Sequence, residues 1–388
     1  MYTKKRKKDV VKHYIKYGFL FIILLLCNQS SVLAQGIQND STIGKVEIDY
    51  NEIQNAINDV LQSEDKFDFK DYVMSLVTGE KKFSLEQIGQ DLKDTVYNEI
   101  HDNLETFTGL ISIAVIAAVF TNFSYAFQST QVAETGFYVA YLLLFSVLTA
   151  SFIAAANLAS DTISAILEFM KALVPAYFLS VAFVSSAGTS TVFYQVALFL
   201  ITFVDVILIR IIIPLINIFL VISMANNLSK DDMLSKLTEL ISTVIGWSLK
   251  TMLGLVIGFN AIQGLILPVA DNIKRSALTK IAGAIPGVGG VFGSVAESVI
   301  GAGVLLKNAI GVVGVIVIIT ICAIPIIKLA VTTLIYRVSG AAVQPISDKR
   351  MLKCITASAD ASLLLLQTVL TSAVLFLLTI TIVAATTS

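Results

Sequence analysis

From Phe107 to the end, the chain reads as apolar runs of about twenty or more residues, apolar all round and separated by short polar breaks. Soluble helices place apolar residues on one face only, so this pattern marks membrane spans. The runs fall at 107–127, 137–157, 163–184, 192–224, 241–268, 285–306, 308–335 and 361–385. Each is long enough for the roughly 20 residues that cross about 30 Å of hydrocarbon. The expected fold is all-α, a polytopic transmembrane helical bundle of about eight spans occupying 106–388. Span 192–224 is too long for one straight helix and contains Pro214, while 285–306 is rich in glycine.

The segment before these runs behaves differently. Residues 35–105 are polar and acidic, with helical periodicity in Ile53, Ile57 and Leu61. Ser84 and Gln87 form a possible capping box ahead of Leu85, Ile88, Leu92 and Val96. A small acidic helical region outside the cytoplasm is expected, with a flexible tether as the alternative. Residues 1–34 have the layout of a signal peptide: Lys4 to Lys8 are a basic cluster, Gly18–Cys27 a short apolar core, and Val32-Leu33-Ala34 a cleavage site. An uncleaved anchor is the alternative there.

Composition agrees with lipid as the main solvent. The chain of 388 residues is 56% hydrophobic and 14% charged, with net charge −1 and mean hydropathy +0.81, too little polarity for a water-exposed fold. Its three cysteines, Cys27, Cys322 and Cys354, have no disulfide or metal spacing.

Charge distribution suggests an orientation. With the acidic region outside, eight crossings put 269–284 and 336–360 in the cytoplasm. Those segments hold Lys274, Arg275 and Lys280, then Arg337, Lys349, Arg350 and Lys353, as the positive-inside rule requires.

Enzyme signatures are missing. The two histidines, His13 and His101, lie outside the apolar runs, and no phosphate-binding loop is present. The glycines of 287–293 are wrongly spaced for a dinucleotide loop, and no strand precedes them. No enzyme activity, cofactor, metal or nucleic-acid partner is expected. The informative residues are charges within apolar runs: Glu168, Lys171, Asp205, Arg210, Lys250, Glu297 and Lys328. Each costs roughly 2.5–3.5 kcal/mol at a helix centre on insertion scales, so each is expected to face a partner or water. Glu168 and Lys171 share a helical face and can pair locally. Asp205 and Arg210 need separate partners or a helix break, which Pro214 can supply. Lys250 and Glu297 are expected to pair across helices, and Lys328 to snorkel from a helix end. These charges either fix packing or line a path for polar solutes.

Glycines at i, i+4 form a second pattern: Gly254 and Gly258, Gly283 and Gly287, Gly289 and Gly293. Such faces permit close helix packing in lipid. With Pro175, Pro214, Pro268, Pro286 and Pro325, they suggest kinked or interrupted helices. Residues 229–240 are expected to form a short interfacial helix.

Several short motifs resemble the stage III sporulation protein AE family of endospore-forming bacteria. They are Asn226-Asn227-Leu228-Ser229, Ile285-Pro286-Gly287-Val288-Gly289-Gly290 and Leu305-Leu306-Lys307-Asn308-Ala309-Ile310-Gly311. Pro325-Ile326-Ile327-Lys328-Leu329 and Asp348-Lys349-Arg350 continue the series. The resemblance implies a multi-pass protein of the mother-cell (outer forespore) membrane, in a sporulation channel or secretion-like complex. Implied partners are the other subunits of the stage III sporulation A complex, including its ATPase and ring proteins. Stage II sporulation protein Q of the forespore is implied across the intermembrane space. The competing expectation is a self-sufficient secondary transporter or permease using the embedded charges.

Overall fold

Lipid offers the backbone no hydrogen bonds, so apolar runs satisfy their own peptide groups by forming helices. The computed structural model describes residues 50–60, 68–78, 85–126, 130–184, 199–200, 202–204, 206–228, 233–282 and 289–386; they contain helices and no strand. The polypeptide divides into Met1–Val46 and Glu47–Ser388, and every described residue belongs to the second unit. The expected signal peptide at 1–34 lies outside the described residues, as do Asp205, Gly283 and Gly287.

Two short helices come first, α1 (Tyr50–Val60) and α2 (Phe69–Thr78). Asp68 caps α2, its carboxylate accepting the Asp71 N–H at 2.9 Å, and Gln54 Oε1 on α1 accepts the Phe69 N–H at 2.8 Å. Next, α3 (Leu85–Ala126) runs from polar into apolar sequence without a break, starting immediately after Ser84. It is followed by α4 (Thr130–Val184), a π-helical turn at Leu208–Ile212, α5 (Ile213–Leu228) and α6 (Ser235–Ala282). The last two helices are α7 (Gly289–Val343) and α8 (Lys349–Thr386).

Six of these helical segments are long and apolar enough to cross a membrane: Tyr97–Val119, Glu134–Ser180, Thr202–Leu228, Ser235–Phe259, Gly303–Val343 and Lys349–Ile380. The expectation of about eight came from polar dips read as loops. The dip at Ser160-Asp161-Thr162 is absorbed within α4, where the Thr162 hydroxyl donates to the Leu158 carbonyl at 2.6 Å. The dip at Lys307-Asn308 is likewise internal to α7. Pro175 and Pro325 also lie inside continuous helices. A continuous helix crosses only once, so α6 carries 269–282 away from the end at which 344–348 lies. The two basic segments expected on one side therefore fall at opposite ends.

The helix does not make the break expected at Pro214 but widens into the π-helical turn just before it. Proline lacks an N–H and crowds the carbonyl four residues earlier, here that of Arg210. The turn accommodates this, with the Ile213 N–H donating to the Leu208 carbonyl five residues back. Of the expected interfacial helix at 229–240, residues 229–232 lie outside the described residues, and the rest form no separate helix. Ser235 already belongs to α6, whose first turns leave Leu237 and Leu240 exposed beside Met233 and Leu234.

The core has two tiers. One gathers Leu110 to Ala117 of α3, Phe137 to Ile163 of α4, and residues of the π-helical turn, α5 and α6. The Leu329–Val343 part of α7 and Met351–Leu375 of α8 complete it. The other joins Ile166–Phe178 of α4, Ala309–Cys322 of α7 and Ala373–Ile380 of α8. Ile53 and Ile57 of α1, with Phe69 and Val73 of α2, pack into this second tier. Helices α4 and α7, each of 55 residues, run about 80 Å at 1.5 Å per residue. They pass through both tiers and exceed one bilayer.

Small residues let these rods approach. A Cβ added at Gly314 of α7 would stand 2.7 Å from Leu173 Cδ2 of α4, and one at Gly340 would stand 3.6 Å from Ile355 Cγ2 of α8. By contrast, a Cβ at Gly254 or Gly258 would meet nothing within 4 Å. That pair faces outward. The surroundings of Gly289 and Gly293, at the start of α7, lie outside what is described.

Candidate functional site

The charges singled out in the apolar runs do not gather. Glu168, Lys171, Arg210 and Lys250 all point outward from the bundle, and no ion pair joins Glu168 to Lys171 among the described residues. The Glu297 side chain lies outside the described residues, so its expected pairing with Lys250 is not visible. Lys328 does not snorkel from a helix end. It sits mid-way along the apolar part of α7 and pairs with Glu99 of α3 at 3.7 Å, with the Glu99 side chain only 14% exposed. One charge the apolar pattern passed over is the most enclosed. Lys307 has 0% exposure within α7; its signal in the sequence was a lone lysine between Leu306 and Asn308.

The polar groups that do converge lie where the α7–α8 corner meets α4 and α5. Asp348 caps α8, its Oδ1 accepting the Arg350 N–H at 2.8 Å and lying 3.3 Å from Arg350 Nε. The guanidinium of Arg350 stands 3.6 Å from the centroid of the Phe137 ring on α4. One turn along α4, Tyr141 packs its ring against Phe137 and donates its hydroxyl to the Met224 carbonyl of α5 at 2.6 Å. Cys354 of α8 lies beside that hydroxyl. Two residues past Met224, the side-chain oxygen of the buried Asn226 accepts the Leu234 N–H at 2.7 Å and so ties the end of α5 to the residue just before α6. The neighbouring Asn227 lines a cleft of about 300 Å³ between α5 and α8, with Ser223, Lys353, Thr356 and Asp360. Asp360 in turn lies 3.5 Å from Arg337 of α7. Deeper in the bundle, Tyr336 donates to Ser151 at 2.7 Å, tying α7 to α4.

No group of three or more histidine, cysteine, aspartate or glutamate side chains suited to a metal occurs among the described residues. Cys322 and Cys354 are both free and buried. What the corner can do is fix five helices against one another and present a polar, mixed-charge cleft at one end of an otherwise apolar bundle.

The family profile for stage III sporulation protein AE matches residues 67–387. The chain belongs to that family. It is 25% identical over 315 residues to stage III sporulation protein AE of Bacillus subtilis (strain 168), an alignment covering 81% of this chain and 79% of the relative. No solved structure matches it. Two stretches that carry the family resemblance, Asn226-Asn227 and Asp348-Lys349-Arg350, stand at this one corner although more than a hundred residues separate them in sequence. A third, around Lys328, supplies the ion pair between α3 and α7.

Sequence reading missed Tyr141, Phe137 and Asp360. Aromatic residues in an apolar run carry no sign of a polar role until their hydroxyl or ring meets a partner. Asp360 stood at the edge of an expected loop and not, as it does, on the outer face of a helix.

Proposed function

We propose that this chain is a non-enzymatic integral membrane subunit of the sporulation channel, a secretion-like complex linking mother cell and forespore. Spore development after engulfment would depend on it. The observation that carries the reading is membership of the sporulation family over 67–387, in a chain whose described residues hold six helices able to span a membrane. In this reading the protein sits in the mother-cell membrane. The corner with Arg337, Lys349, Arg350 and Lys353 is taken to face the cytoplasm, its four cations set against the three, Lys274, Arg275 and Lys280, at the opposite end. The opposite tier, which holds α1 and α2, faces the intermembrane space.

That polarity fits the expected partners. A cytoplasmic ATPase would work at the basic corner. Ring proteins of the stage III sporulation A complex and stage II sporulation protein Q of the forespore would engage the end with α1 and α2. The chain would hold helices and contacts in register and leave energy supply to the separate motor.

A clean deletion in the native sporulating host tests the reading. Development should stop after engulfment and heat-resistant spores should be lost, with full recovery on complementation. Normal spore yield from the deletion would overturn it.

A further inference from the structure

The cleft between α5 and α8 shares Lys353 with the corner discussed above. Ser223 and Asn227 come from the last turns of α5, and Lys353, Thr356 and Asp360 from the first three turns of α8. Leu352 and Ala357 supply apolar wall between these polar groups. Its volume of about 300 Å³ is at the lower end of small-ligand sites, enough for a headgroup but not for a whole lipid.

Position and charge narrow the ligand. The cleft opens on the outer face of the bundle, where lipid lies, at the end marked by Arg337, Lys349, Arg350 and Lys353. Hydroxyls, an amide and charges on a lipid-facing surface are costly in hydrocarbon but suited to the headgroup layer. Lys353, Arg337 and Asp360 together carry a formal charge of +1, which matches one phosphodiester monoanion. Basic pockets between membrane helices at such a level recurrently hold phosphate headgroups.

We propose that this cleft binds the phosphate headgroup of one phospholipid from the leaflet at the α7–α8 corner. Lys353 meets the phosphate charge, and Ser223 and Asn227 donate to its oxygens. Asp360, held near Arg337, sets the charge of the site and disfavours a second anion.

Native mass spectrometry of the full-length protein, released from detergent after incubation with phosphatidylglycerol, tests this. The wild type should retain one phosphatidylglycerol. Lys353→Glu should reduce retention at least tenfold, whereas Asp360→Asn should raise it severalfold by removing a negative charge. Opposite signs separate binding from loss of packing, since a merely structural role would lower retention in both. Ser223→Ala, a milder change, should give an intermediate loss and keeps the test usable if Lys353→Glu fails to fold. Diacylglycerol, which lacks the phosphate, should not be retained, and millimolar inorganic phosphate should not displace the lipid. Equal retention by wild type, Lys353→Glu and Ser223→Ala would overturn the proposal, as would displacement of the lipid by inorganic phosphate.

Discussion

The guanidinium of Arg350 lies over the Phe137 ring at 3.6 Å, so the first turn of α8 is fastened to the start of α4 across more than two hundred residues of sequence. The same arginine is held by Asp348, which fixes its plane before it reaches the ring. Cation–π contacts of this kind contribute about 0.5–2 kcal/mol. Phe137→Leu, which keeps apolar volume but removes the π face, should lower the melting temperature in detergent. Arg350→Ala combined with Phe137→Leu should then cost less than the sum of the two single changes. Strict additivity of the two changes would show that the contact contributes nothing.

Close packing of α4 on α7 turns on Gly314. Gly314→Val places branched carbon where Leu173 Cδ2 already stands, and overpacking of this sort costs about 1–3 kcal/mol. Leu173→Ala in the same chain should return part of that loss by vacating the space. Gly254→Val should be nearly silent in the isolated protein because its face is open. Thermal melts of the three variants and the double variant read this directly.

The ion pair between Lys328 and Glu99 is expected to respond to charge order. Glu99→Lys sets two cations together at a half-buried site and should destabilise the fold. Adding Lys328→Glu restores an opposite-charge pair and should recover about 1 kcal/mol. If the double variant is no more stable than Glu99→Lys alone, the pair has no coupling.

These sites show what could be read from the sequence and what could not. The apolar runs were legible because hydrocarbon demands them, and their all-helical character followed from backbone satisfaction. Helix continuity was not. A polar dip such as Ser160-Asp161-Thr162 looks the same in hydropathy whether the chain turns there or, as here, bonds a hydroxyl back to its own helix. The i, i+4 glycine rule selected Gly254 and Gly258, which face open space, yet among the described residues the glycines that another helix approaches are Gly314, beside Leu173, and Gly340, beside Ile355. Pairing of Lys328 with Glu99 escaped for the same reason: the partner lies in the polar stretch before the first apolar run.

Docking of α1 and α2 depends on Phe69, which is fully enclosed in the second tier. Phe69→Ala removes the largest apolar group joining them to the long helices, a loss of about 3–5 kcal/mol where it is felt. Limited proteolysis should then cut between residues 60 and 85 at a much higher rate, while the fragment containing α4, α7 and α8 persists. Unchanged cleavage would mean that Phe69 does not hold these helices in place.

The unbroken course of α7 has a mechanical consequence. A helix of 55 residues is long enough that a tilt of a few degrees where it turns into α8 moves its far end by several ångströms. Pro325, which lies between the α7–α8 corner and the docking place of α1 and α2, removes one backbone hydrogen bond and is where such a lever would give first.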